Sequence, residues 1–166
     1  MTRGISFSNP SPITIPRTGT AGNAAPFPAS IVVRNLNRPV RRVTATINNL
    51  VHTFPDDVHL LLIGPQGQST YLMGNAGGGT DVNGITITFD DNALNFLPNA
   101  GPLSSGRFRP TLYGAPNANF PGPQQYGTTL SVFRGTNPNG VWSLYSLDDA
   151  GGDVGFISGG WTLTFY

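Results

Sequence analysis

Cysteine, lysine and glutamate are absent from this chain. Without cysteine the fold uses neither disulfides nor thiolate metal sites, though this does not fix its compartment. All nine basic residues are arginine and all eight acidic ones aspartate. Lysine and glutamate are strong helix formers and aspartate prefers turns and caps, so this choice disfavours helix. No stretch approaches the roughly 20 apolar residues that would span a membrane. The formal net charge of +1 gives no field that would draw nucleic acid or an anionic lipid surface. No asparagine stands in an Asn-x-Ser/Thr sequon with x other than proline, so conventional N-glycosylation is not expected. The opening MTRGISFSNP has no apolar core of a secretory signal. That is compatible with a mature chain, with a signal replaced by Met1, and with export by another route.

What the chain has in quantity is turn chemistry: 22 glycines and 15 prolines in 166 residues. The segments PQGQ, NAGGG, NPNG and DDAGGD all ask for glycine or asparagine at positive φ. Between them lie short strand patterns. Val43, Ala45 and Ile47 alternate with Thr44, Thr46 and Asn48, giving one buried and one wet face. VHLLLI at 58–63 is almost continuously apolar, as in a central strand covered on both sides. ITITF at 85–89 and TLSVF at 129–133 alternate again, and Trp161, Leu163 and Phe165 share one face near the end. No segment holds a 3.6-residue period. Short strands with turn signals about every 8–12 residues predict an all-β sandwich or barrel, and no linker or repeat divides it, so a single domain is expected.

Residues 1–30 differ in composition, being rich in proline, serine, threonine and alanine. Their prolines exclude helix and confine pairing to a sheet edge. Two readings stand: first strands of the domain at 31–166, or an extended arm reaching a neighbouring subunit. In the second, Ile5, Phe7, Ile13 and Ile15 would be the assembly residues, spaced by two within each piece so that each pair points one way.

VHTFPDDVHLLLIGPQGQSTYLM and NPNGVWSLYSLDDAGGDVGFISGGWTLTF resemble the P domain (Homo B domain) that follows the catalytic domain of subtilisin-like proprotein convertases, also an add-on module of bacterial secreted proteins. FSNPSPITIP and FPASIVV look like its opening strands, and Gly140–Leu163 its G-x-W-x-L…D…G-D-x-G…W-x-L ending. The resemblance covers nearly the whole chain. It implies a jelly-roll β-sandwich of about eight strands, a stabilising rather than peptide-cleaving role, an extracellular or cell-surface setting, and frequent dependence on calcium. No protease domain is present in this sequence, which leaves peptidase activity without a carrier.

The aspartates are the strongest chemical signal. Asp56–Asp57, Asp90–Asp91 and Asp148–Asp149 form pairs, while Asp81 and Asp153 stand in glycine-rich loops. Ca²⁺ takes six to eight oxygens, and DDAGGD offers carboxylates at its ends and exposed carbonyls at its glycines. Taken with the frequent calcium dependence that the resemblance implies, this leads us to expect calcium at Asp56, Asp57, Asp148, Asp149 and Asp153. The competing reading is that these residues make Asx turns, and the spacing is not that of an EF-hand. Residue 59 is histidine where many relatives of the resembled family carry a small or acidic residue, which would remove one ligand.

For catalysis the signs are poor. There is no Gly-x-Ser-x-Gly elbow, Ser158 lies in a hairpin-like FISGG, and His52 and His59 flank the entry to a central strand. Arg34, Arg38, Arg41 and Arg42 form a basic cluster without stacking aromatics, which reads as a solvated strand end or a contact with aspartate of a neighbouring subunit rather than as a nucleic-acid site. Trp142 and Trp161 read as core, leaving Tyr71, Tyr113 and Tyr126 as the candidates for a sugar platform. Three functions follow: a self-assembling or protein-binding structural module, an accessory stabilising domain of a secreted subtilisin-like protease, and a carbohydrate-binding module.

Overall fold

The computed structural model describes residues 3–115, 118–122 and 126–166. Two mixed sheets pack face to face as an all-β sandwich. The strands are β1 (Ile5–Asn9), β2 (Ile13–Ile15), β3 (Gly22–Asn23), β4 (Ala29–Val33), β5 (Val43–His52), β6 (Val58–Ile63), β7 (Ser69–Gly74), β8 (Val82–Phe89), β9 (Gly106–Phe108), β10 (Thr111–Leu112), β11 (Gly140–Asp148), β12 (Gly155–Ile157) and β13 (Trp161–Phe165). The resemblance implied about eight strands; thirteen are formed among the described residues, eight of them five residues or longer. Among the described residues no helix is long and apolar enough to cross a membrane.

Each sheet is organised on one long strand whose edge is shared by two shorter ones. In the first sheet β5 pairs with β8 along one edge, and with β13 and then β12 along the other. In the second, β11 pairs with β6 on one edge and with β4 and then β3 on the other. The register slips in β5 between Ile47 and Leu50. Asn49 takes φ +60° there, a conformation that asparagine tolerates better than most residues. A bulge at this point turns Leu50 back onto the core.

The alternating residues Val43, Ala45, Ile47, Trp161, Leu163 and Phe165 all face the inter-sheet core. Trp142 is fully buried between Phe133 and Phe165, and its indole N–H donates to the Pro138 carbonyl at 2.8 Å. On the outer face of the first sheet, hydroxyls pair across strands: Ser6 with Thr164, Ser8 with Thr162 and Thr46 with Thr88, each at 2.9 Å. β6 is covered on both sides, as its composition predicts. Leu60 and Leu62 enter the main core, while Leu61 joins Tyr71, Phe120 and Leu147 in a second cluster on the outer face.

One expected strand is not formed. TLSVF holds a 3₁₀ turn at Leu130–Phe133. The Asp91 carboxylate accepts hydrogen bonds from the backbone N–H groups of Leu130 and Ser131 at 2.9 and 2.8 Å, which fastens the start of the turn. Leu130 and Phe133, three apart, are then buried together, while Val132 is exposed. A tight turn satisfies that spacing and a strand does not.

Of the segment 1–30, residues 3–30 lie within this sandwich, and residues 1 and 2 lie outside the described residues. β1 pairs with β13 over five residues, and β2 pairs with β12. Ile13 and Ile15 are fully buried in the main core, Phe7 packs partly against it, and Ile5 is half-exposed on an edge strand. Ile13 and Ile15 are thus closed to a neighbouring subunit unless this core opens.

Candidate functional site

The two motifs richest in aspartate meet at one end of the sandwich, and backbone pairing brings them there. Asp148, the last residue of β11, is opposite Val58, the first of β6. The ladder continues one step further, with the Asp149 N–H donating to the Asp57 carbonyl at 3.0 Å. The Pro55–Asp57 turn and the Asp148–Asp149 corner are therefore held side by side although about ninety residues separate them. β12 adds the third piece. Its Gly155 lies opposite His52, and the Thr53 hydroxyl donates to Asp153 Oδ1 at 3.0 Å. A Cβ at Gly155 would stand 2.1 Å from the Val51 carbonyl oxygen and 2.4 Å from the His52 ring, so only glycine fits this approach.

All five aspartates named from the sequence thus gather at one corner, together with two histidines. His52 and His59 are fully buried. The Phe54 N–H donates to His52 Nδ1 at 3.1 Å, which leaves the ring proton on Nε2, facing Asp148 Oδ2 at 3.1 Å. His59 Nδ1 is 2.8 Å from the Tyr71 hydroxyl, and its Nε2 is 3.0 Å from Asp149 Oδ2. Both histidine–aspartate contacts are close but poorly aligned as hydrogen bonds, so Asp148 Oδ2 is a buried oxygen without a well-directed donor. Sequence reading treated the histidines as strand flanks. The available signal was a polar ring inside the otherwise apolar VHLLLI, which must find a buried partner.

Electrostatically the corner is under tension. Burial, then repulsion from Asp149, Asp153 and Asp56, raises Asp57 to about 6. Burial also raises Asp148 to about 6 against the opposing hydrogen bond from the Ala150 N–H, and repulsion from Asp57, Asp149 and Asp153 adds to the rise. Burial lowers both histidines below their ordinary value against the pull of nearby carboxylates, so they are poor counter-charges at neutral pH. In donor chemistry the corner suits a hard cation: carboxylate oxygens in excess of positive charge, and one buried oxygen left over. Among the described residues, however, no three acidic or histidine side chains already converge as a ligand set. An ion here would draw Asp57, Asp149 and Asp153 together with loop carbonyls.

The remaining aspartates do other work. Asp90, almost fully buried, accepts from Arg42 and Arg107 and from the Asn92 N–H, and Asp91 caps the Leu130 turn. Asp81 is exposed at the start of β8, on the acidic side. Tyr71 is buried against His59, the Tyr113 hydroxyl donates to the Leu97 carbonyl, and Tyr126 packs in the second cluster, so none of the three lies flat on the surface. Ser158 is in the β12–β13 turn. No protein-family model and no curated protein matches this chain.

Proposed function

We propose that this chain is a non-catalytic interaction module of the P-domain kind, acting outside the cell, whose acidic corner is tied together by calcium. The observation that carries this reading is the meeting of H-T-x-x-D-D (52–57) and D-D-x-x-x-D-x-G (148–155), which puts five carboxylates at one corner, with Asp57 and Asp148 raised to about 6 by burial first and by mutual repulsion after it. Such repulsion costs stability unless a cation offsets it. Calcium would link the Pro55–Asp57 turn to the β11–β12 loop and so lock the end of both sheets. The non-catalytic part rests on the histidines. Each is buried with both ring nitrogens against neighbours of its own chain, leaving neither open to a substrate.

Thermal melting of the whole chain in calcium and in EDTA tests the proposal. An ion that binds only the folded state, present at a hundredfold excess over its dissociation constant, adds about 2.7 kcal/mol. For a chain of this length that raises Tm by roughly 5–10 °C. Superimposed melting curves, with no heat on calorimetric titration of calcium, would refute it.

A further inference from the structure

The two ends of the sandwich carry opposite charge, which the net value of +1 conceals. β5 and β11 both run from one end to the other, and the His52–Asp148 contact shows that they finish together. At their finish stand Asp56, Asp57, Asp81, Asp148, Asp149 and Asp153, with Arg17 the arginine on that side. At their start stand Arg34, Arg38, Arg41, Arg42 and Arg134, with Arg3 beyond β1; Asp90 and Asp91 lie there too, but Asp90 is taken up by Arg42 and Arg107 and Asp91 by the Leu130 turn, so the excess at this end is positive. Ten residues of β5 separate the ends by about 30 Å. The Debye length near physiological salt is about 8 Å, so neither end screens the other.

Shape agrees with charge. The basic end holds an open pocket of about 310 Å³ whose walls include Ile5, Leu36, Val40 and Phe165, with Arg38 and Arg41 beside them. Among the described residues neither arginine has a carboxylate within salt-bridge distance. The acidic end presents the reverse: Val154 and Phe54 are exposed apolar side chains, 51% and 38%, flanked by Asp153 and Asp56. We propose that the basic pocket receives the acidic end of a second copy of this chain, Val154 or Phe54 entering the apolar walls while aspartates meet Arg38 and Arg41. Such a contact is heterologous, so it leaves a free end on each partner and propagates as a linear head-to-tail array. It deepens the interaction-module reading by naming the partner and rests on that reading.

Sedimentation velocity of the full chain tests this. The expected result is concentration-dependent association that weakens at least about tenfold between about 20 and 500 mM NaCl. Two variants at exposed positions, Arg38→Gln/Arg41→Gln and Asp81→Arg/Val154→Arg, should each be monomeric alone. Mixed, they should form a one-to-one dimer and nothing longer, because each retains one working end. Far-ultraviolet circular dichroism and melting check that both are folded, and the salt series on the unaltered chain needs no variant. A monomer at low salt and high concentration, association indifferent to salt, or a variant that self-associates as the parent does would each overturn the proposal. Calcium-dependent melting is read separately, so a calcium-stabilised monomer would refute the array and leave the interaction-module reading in place.

Discussion

Replacing Asp57 with asparagine should stabilise this protein without calcium and destabilise it with calcium. Asp57 is half-buried, and its side chain makes no hydrogen bond among those of the described residues, so asparagine removes charge at little other cost. Its carboxyl is raised from 3.8 to about 6, first by burial and then by Asp149, Asp153 and Asp56. A shift of about two units corresponds to about 3 kcal/mol at most. Partial exposure to water screens much of this, and about 1 kcal/mol is the reasonable expectation, or roughly 2–4 °C in Tm.

The pH dependence gives the sign. A carboxyl with a raised folded value binds its proton more tightly in the folded state than in the unfolded one. The penalty is therefore absent below about pH 4, grows between about 4 and 6, and is complete above about 6. In EDTA, Asp57→Asn should equal the parent near pH 4 and exceed it near neutrality. In calcium near neutral pH the order reverses, because the variant has lost a charged ligand. Calorimetric melting at two pH values, with and without calcium, gives all four numbers. A variant that melts below the parent in EDTA at neutral pH, or gains as much at pH 4, would refute the repulsion argument. A gain in EDTA that persists unchanged in calcium would refute Asp57 as a ligand.

Two further substitutions test the frame around the site. Burial alone would raise Asp90, but hydrogen bonds from Arg42, the Asn92 N–H and Arg107 outweigh it and hold Asp90 below its ordinary value. Asp90→Ala should therefore cost about 2 kcal/mol near neutral pH, and chemical denaturation should show the difference from the parent vanishing as pH falls below about 4. Gly155→Ala forces a Cβ against the Val51 carbonyl, which is backbone and cannot swing aside. The expected loss is about 3 kcal/mol in urea unfolding, and an unchanged midpoint would show that β12 sits more loosely on β5.

Several features of the fold are legible in the sequence because they depend on local periodicity. The period-two patterns of 43–47 and 161–165 put their apolar residues on the core face, and the unbroken VHLLLI is buried on both faces. TLSVF was misleading for the same reason. Its hydrophobics can be counted by twos or by threes, and the deciding group, Asp91, lies about forty residues away. Residues 1–30 read as first strands in preference to an arm, but the arm stayed open because edge pairing with β13 depends on where the last strand of the chain ends up.

The site was half legible for a related reason. Asp56–Asp57 and Asp148–Asp149 announce themselves as pairs, but their meeting follows from antiparallel register between β6 and β11, which no local pattern encodes. The same register sorts the charges. Because β5 and β11 run together from basic to acidic end, Arg41 and Asp149 lie at opposite poles, although composition averages them almost to zero. Burial first, and then repulsion among Asp56, Asp57, Asp148, Asp149 and Asp153, raises Asp57 and Asp148 and lowers the stability of that end. The ion proposed for the corner and the arginines of the proposed neighbour would each offset that negative charge. The two also compete: calcium lowers the negative charge that a neighbour's Arg38 and Arg41 would meet, so raising calcium should weaken head-to-tail association while it raises Tm.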